Sequence, residues 1–235
     1  METTIEKHVI EQGTDAWFNI RLGKFTSSEV FNLFTEPRSK QARENGELSQ
    51  SAQTYIEQKA VEMIYRTHDE FSSPALDWGN YAEPLAINHY METFGVDVKS
   101  GDFWTINDDI GSSPDGIVSD DKLIEIKCPY RPINHMKNCL NVHDADDLKK
   151  HHKNYYYQVM HQMFVTGAKC VDFVSFDPRL LEGLHWENAM HVVTIERDEN
   201  VMTEMQIKLE RAINDRDWET KSTHLAPVTN IWCIT

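Results

Sequence analysis

The chain has 235 residues, 40% of them hydrophobic, which is enough for one sizeable core, and no Gly/Ser/Pro-rich linker divides it, so a single domain over 1–235 is expected. No apolar run reaches the ~18 residues of a membrane span and no apolar signal region opens the chain, which excludes a membrane or exported class and predicts a cytoplasmic protein. Against 23 basic side chains stand 38 acidic ones, a formal net charge of −15, so any polyanionic partner must be held by a local basic track inside an acidic exterior.

In chain order, a short strand-like start leads to a predicted helix over 14–22, capped by Thr14 and closed by Gly23. Thr26-x-x-Glu29 has the form of a capping box and predicts a second helix toward Phe34. Arg21 would then lie beside a helix N-terminus with the Ser27 and Ser28 hydroxyls, a setting that suits an anion; pairing of Arg21 with an acidic neighbour is the alternative. Residues 37–48 are polar and turn-rich and predict a mobile loop carrying Arg38, Lys40 and Arg43. A helix over 51–66 has an apolar stripe of Ile56, Ala60, Met63 and Ile64. Ser72-Ser73-Pro74 then stops the chain and begins a helical region holding Leu76, Trp78, Glu83, Leu85, Ala86 and Tyr90, with Pro84 expected to start or kink a helix.

The stretch "SSPDGIVSDDKLIEIKCP" carries the chemistry. Strand side chains alternate, so Glu125 and Lys127 share one face while Ile124 and Ile126 take the opposite, buried face. Residues 119–122 are turn chemistry and predict a hairpin that brings Asp115 across from Glu125 or Ile126. Converging carboxylates beside an ammonium suit Mg²⁺, which takes oxygen ligands and keeps several waters. An exposed strand salt bridge is the bland alternative. A Glu-x-Lys triplet alone is weak, since about one is expected by chance in this composition and Glu57-Gln58-Lys59 supplies another in a helical pattern. Only Glu125-x-Lys127 follows Pro-Asp-Gly at hairpin distance.

Beyond it, a helix over 153–166 ends at Gly167 and sets Tyr155, Gln158 and Gln162 on one polar stripe of an otherwise apolar segment, so an inward amide needs a partner. His151, His152 and His161 match no metal-ligand spacing and are expected at the surface or facing a ligand. Strands over 171–176 and 191–196 and an amphipathic helix over 201–213 complete an α/β fold, a mixed sheet flanked by helices. The tail, with Pro227 and Ile231-Trp232, is expected to dock on the body or on a neighbouring subunit. Cys128, Cys139, Cys170 and Cys233 form no C-x-x-C pair, which argues against zinc or iron–sulfur sites and predicts mostly buried, reduced thiols.

The pattern Pro114-Asp115-(x)9-Glu125-x-Lys127 resembles that of the PD-(D/E)xK nucleases. The wording "SPDG…EIKCP", with "QGTDAWFNIRLGKFTSSEV", "PRS", "WGNYAEPLA", "YYYQVMHQMFVTG", "FDPR" and "HVVTIERDE" in matching order, is similar to the phage lambda exonuclease branch, the viral recombinase exonucleases. This resemblance implies a restriction-endonuclease-like core and a Mg²⁺-dependent 5′-to-3′ exonuclease acting on double-stranded DNA ends, with one or two ions per site and Mn²⁺ able to substitute. It implies that Asp115, Glu125, the Ile126 carbonyl and Glu83 hold the metal. Lys127 then orients or deprotonates the water with its pKa lowered, and Gln158 bonds near the water or phosphate. Arg21 and Ser28 would hold a 5′-phosphate, Arg38 would face the strand end, Leu76 would wedge at the duplex end, and Tyr155 keeps the family spacing. A ring-shaped homotrimer around DNA and a single-strand annealing protein are the implied partners. An endonuclease or single-strand nuclease of the same fold, or a DNA-end-binding module without catalysis, are the rival readings; the missing iron–sulfur cysteines disfavour a Cas4-like version.

Overall fold

The computed structural model of the chain describes residues 4–67 and 73–225. In order these form β1 (Ile5–His8), α1 (Asp15–Arg21), β2 (Phe25–Thr26), a 3₁₀ turn (Val30–Phe34), α2 (Lys40–Glu44), α3 (Gln50–Tyr65) and α4 (Pro74–Phe94). Then come β3 (Lys99–Ser100), β4 (Phe103–Ile106), β5 (Ile110–Ser112), β6 (Gly116–Ser119) and β7 (Lys122–Lys127). The remainder is α5 (Pro132–Asn141), α6 (Ala145–His151), α7 (Lys153–Thr166), β8 (Cys170–Phe176), β9 (Met190–Glu196) and α8 (Glu199–Leu225). Among the described residues no helix is long and apolar enough to cross a membrane.

Two mixed sheets result. One has the order β1-β4-β5-β2, the other β3-β6-β7-β8-β9, with β7 at its centre, antiparallel to β6 and parallel to β8. Alternation along β7 sends Leu123 into a large core with α7 and α8, and Ile124 and Ile126 into a smaller one with Ala86 and Tyr90 of α4. Both faces are therefore covered, as a strand with a parallel neighbour requires. The hairpin turns at Asp120-Asp121, and Gly116 follows Asp115 for a packing reason: a Cβ there would lie 2.3 Å from Val98 Cγ1 and 2.9 Å from Ile124 Cγ2. Burial of α7 extends around most of its surface, including Tyr156, Tyr157, Val159, Met160 and Met163.

Several local expectations give way to non-local partners. Thr26 caps no helix; it pairs with Gly111 in a parallel ladder, its N–H donates to Tyr55, and the Glu29 carboxylate goes to Lys59, leaving only a 3₁₀ turn toward Phe34. Within 37–48 the chain forms α2, because Ser39 accepts from the Ala42 N–H at 3.1 Å and the residues that follow are good helix formers. Pro84 lies inside α4, which continues past it with Ala82, Ala86 and Tyr90 buried; loss of one helical hydrogen bond, a cost of about 3 kcal/mol, is offset by that packing. The last helix runs to Leu225, well beyond 213, because Arg216 is buried and bonds the Gly23 carbonyl at 2.6 Å and Asp109 at 2.5 Å. Cys128, Cys139 and Cys170 are free and half-buried. Ser72, Cys233 and the tail with Pro227, Ile231 and Trp232 lie outside the described residues.

Candidate active site

The hairpin delivers the charged cluster. Gly116 pairs with Ile124, so Asp115, one residue earlier, comes beside Glu125, and its Oδ2 accepts the Ile126 N–H at 2.6 Å. Glu125 is 1% exposed, yet it is an ionisable group with three donors around it. The Lys127 ammonium and the Gln158 amide, the latter at 2.5 Å, reach its Oε1, and the Gln162 amide reaches Oε2. A buried carboxylate persists only with such company. The glutamines come from successive turns of α7, so one helix face supplies both. Gln162 is thus a site residue that the sequence marks only as an inward amide; its partner lies 37 positions back in the chain.

Lys127 Nζ sits 5.0 Å from the centre of the Tyr155 ring, and Tyr155 in turn stacks on His152. Glu83, half-buried on α4, acts electrostatically on both Asp115 and Glu125. Asp115 is held well above the usual carboxylate range, first by burial and then by Glu125 and Glu83. Burial pulls Lys127 down, but Glu125 and Asp115 outweigh it, so the protein's own groups set it above the ordinary lysine value; the lowering expected beside a cation depends on the ion's own charge. Burial, with Glu83 and Asp115, pushes the neighbouring Cys128 thiol up to about 12, so it is no nucleophile.

Among the described residues no three His, Cys, Asp or Glu side chains form a ready-made metal cage. The donor chemistry nonetheless fits a hard divalent ion. Three mutually repelling carboxylates face one ammonium, and Mg²⁺ needs only one or two protein carboxylates because it keeps its waters.

The Arg21 region is separate. Its guanidinium lies 4.0 Å over the Trp17 ring and reaches Thr26 Oγ1 at 3.5 Å, at the edge of a cavity of about 550 Å³ between α1 and α3. Ser28 is exposed and does not line that cavity, and the helix N-terminus expected there is absent. Arg38 is exposed, and its carbonyl accepts from Arg43 at 3.0 Å. Leu76 is 44% exposed in the first turn of α4. Of the histidines, His151 is exposed and His152 half-buried, whereas His161 is wholly buried against Ser27, a correction to its expected surface position.

A mixed sheet with this hairpin at its centre is the fold of the alkaline exonucleases. An alkaline exonuclease from Laribacter hongkongensis, LHK-Exo, superposes with a TM-score of 0.73 at 28% identity, over 90% of this chain and 96% of that one. Its complex with dAMP gives 0.72 at 29% identity, over 91% and 100%. A phage-related exonuclease from Haemophilus somnus shares the fold at 19% identity, TM-score 0.69, over 85% and 96%. The sequence signature of the YqaJ-like viral recombinase domain spans residues 16–169, and the chain belongs to that family. No curated protein sequence matches the chain.

Proposed function

We propose that the protein is a Mg²⁺-dependent 5′-to-3′ exonuclease on double-stranded DNA that releases 5′-mononucleotides and leaves 3′ single-stranded tails for recombination. The observation that carries this reading is the meeting of Asp115, Glu125, Lys127 and Gln158 at one end of the β6–β7 hairpin. Family membership and the alkaline-exonuclease fold support it. Asp115 and Glu125 hold the ion, with the Ile126 carbonyl and Glu83 beside them, and Mn²⁺ can take its place. When bound, one or two ions supply an activated water and offset charge on the phosphate and leaving oxygen. Lys127 orients the attacking water. Gln158 and Gln162 keep the Glu125 carboxylate aimed, and Gln158 extends toward the water or phosphate. Arg21 holds the 5′-phosphate, Arg38 faces the strand end, Leu76 wedges at the duplex terminus, and Tyr155 packs beside Lys127. A homotrimeric ring threaded by DNA, and a single-strand annealing protein that takes up the tails, complete the reading.

Linear duplex labelled at either the 5′ or the 3′ end, digested with Mg²⁺, tests it. Early release of the 5′ label as a mononucleotide is expected. Early release from the 3′ end, or full activity in excess EDTA, contradicts it.

A further inference from the structure

The helical Glu-x-Lys triplet Glu57-Gln58-Lys59 lies on α3 and lines the cavity beside Arg21. Lys59 is 5% exposed, and its ammonium donates to Glu29 at 3.1 Å and to Glu62 at 2.8 Å. The other Glu62 oxygen accepts from the Gly23 N–H at 2.9 Å. Both carboxylates line the same cavity as Arg21 and act on it electrostatically. Among the described residues, however, Arg21 makes no ion pair; it lies over the Trp17 and Phe103 rings and makes a long contact to Thr26. A guanidinium carries five N–H donors, so most of its hydrogen-bonding capacity is left for whatever fills the cavity. Burial also pushes Arg21 below its ordinary value, which records the cost of keeping a cation here without an anion in contact. Two glutamates attract it across the cavity, and Lys59 engages both. Glu57, the remaining acid of the cavity, is exposed and screened by water.

We infer that Lys59 is a positioning residue for DNA-end recognition: by engaging Glu29 and Glu62 it keeps Arg21 open to a terminal 5′-phosphate. The inference rests on the proposed 5′-phosphate site and adds the device that prevents the protein's own acids from filling it. Lys59 touches no reacting atom, so its effect is on selectivity between ends.

The test is the ratio of kcat/KM on 5′-phosphorylated over 5′-hydroxyl duplex, for the wild type, Arg21→Ala, Lys59→Met and the triple variant Lys59→Met/Glu29→Gln/Glu62→Gln. Charge-assisted gripping of the phosphate gives the wild type a preference on the order of tenfold. Lys59→Met should lose it to the level of Arg21→Ala. The triple variant should recover it, because no acid remains to capture Arg21 while Gln at 62 still accepts from Gly23. That rescue separates positioning from a purely structural role. If Lys59→Met fails to fold, the triple variant, which removes the ammonium together with both of its carboxylate partners, carries the test, and its loss of preference overturns the inference. A folded Lys59→Met with full preference, beside a non-selective Arg21→Ala, removes the Lys59 role alone. A wild type and Arg21→Ala that both ignore the 5′ terminus remove the phosphate site itself, and the Lys59 role with it.

Discussion

His161 makes stability in acid a direct report on the core of α7. Its ring is wholly buried, with Nδ1 2.8 Å from Ser27 Oγ, and Ser27 in turn donates to Ser112 at 2.9 Å. With the Ser27 hydrogen directed to Ser112, Nδ1 carries the imidazole hydrogen and Nε2 is a bare acceptor with no partner. A proton added at Nε2 would be a buried charge without an acceptor, and burial accordingly lowers this histidine from 6.5 to about 3. The unfolded chain takes up that proton as pH falls through the ordinary value, while the folded protein refuses it until about pH 3. Stability from this group is thus complete above about 6.5 and declines as pH falls. The limiting slope is about 1.4 kcal/mol per pH unit, and between pH 7.5 and pH 5 the loss integrates to about 2 kcal/mol. Urea unfolding of the wild type and of His161→Gln over that range isolates it, because every other titrating group is common to both. The wild type should lose about 2 kcal/mol more than the variant. Parallel pH profiles would refute the buried neutral imidazole.

Asp115 predicts the opposite sign. Its carboxyl is raised by burial, Glu125 and Glu83, so the folded state loses stability as pH climbs from the ordinary aspartate value through the raised one. Asp115→Asn, which keeps an acceptor for the Ile126 N–H, should therefore raise the urea midpoint at pH 8 in EDTA; a lowered midpoint contradicts this. Gln162→Leu removes one charge-assisted bond to buried Glu125 and should cost about 1.5–3 kcal/mol by chemical denaturation, with activity falling at least about tenfold; unchanged unfolding and rate would show that the amide does not hold Glu125. Light scattering at micromolar concentration should give the mass of three chains, and a monomer mass with and without DNA would remove the ring.

What could be read in the sequence was what depends on neighbours in the chain. The β6–β7 hairpin follows from alternation and turn residues, and α7 from an apolar pattern ending at a glycine whose φ of +79° requires it. The polar stripe of α7 gave the need for a partner at an inward amide, and the family resemblance singled out Gln158. What escaped depends on distant pairing. Thr26 and Glu29 satisfy a local capping rule, but Gly111 takes the backbone of Thr26 and Lys59 the carboxylate of Glu29. His161 could not be seen as buried because Ser27 and Ser112, which line it, come from two other strands' ends. The Lys127 shift set by the protein's own groups was likewise a balance: burial alone lowers it, and only the closeness of Glu125 and Asp115 reverses the sign.

The central claim is that the Asp115–Glu125–Lys127 cluster performs phosphodiester hydrolysis. It is tested most directly by digesting linear duplex with Lys127→Ala and Asp115→Asn in Mg²⁺, alongside far-UV circular dichroism and binding to duplex ends. Each variant should remain folded and bind ends while its cleavage rate drops by more than about a hundredfold, as expected when metal activation or water positioning is lost. Near-wild-type digestion by either folded variant would contradict the assignment.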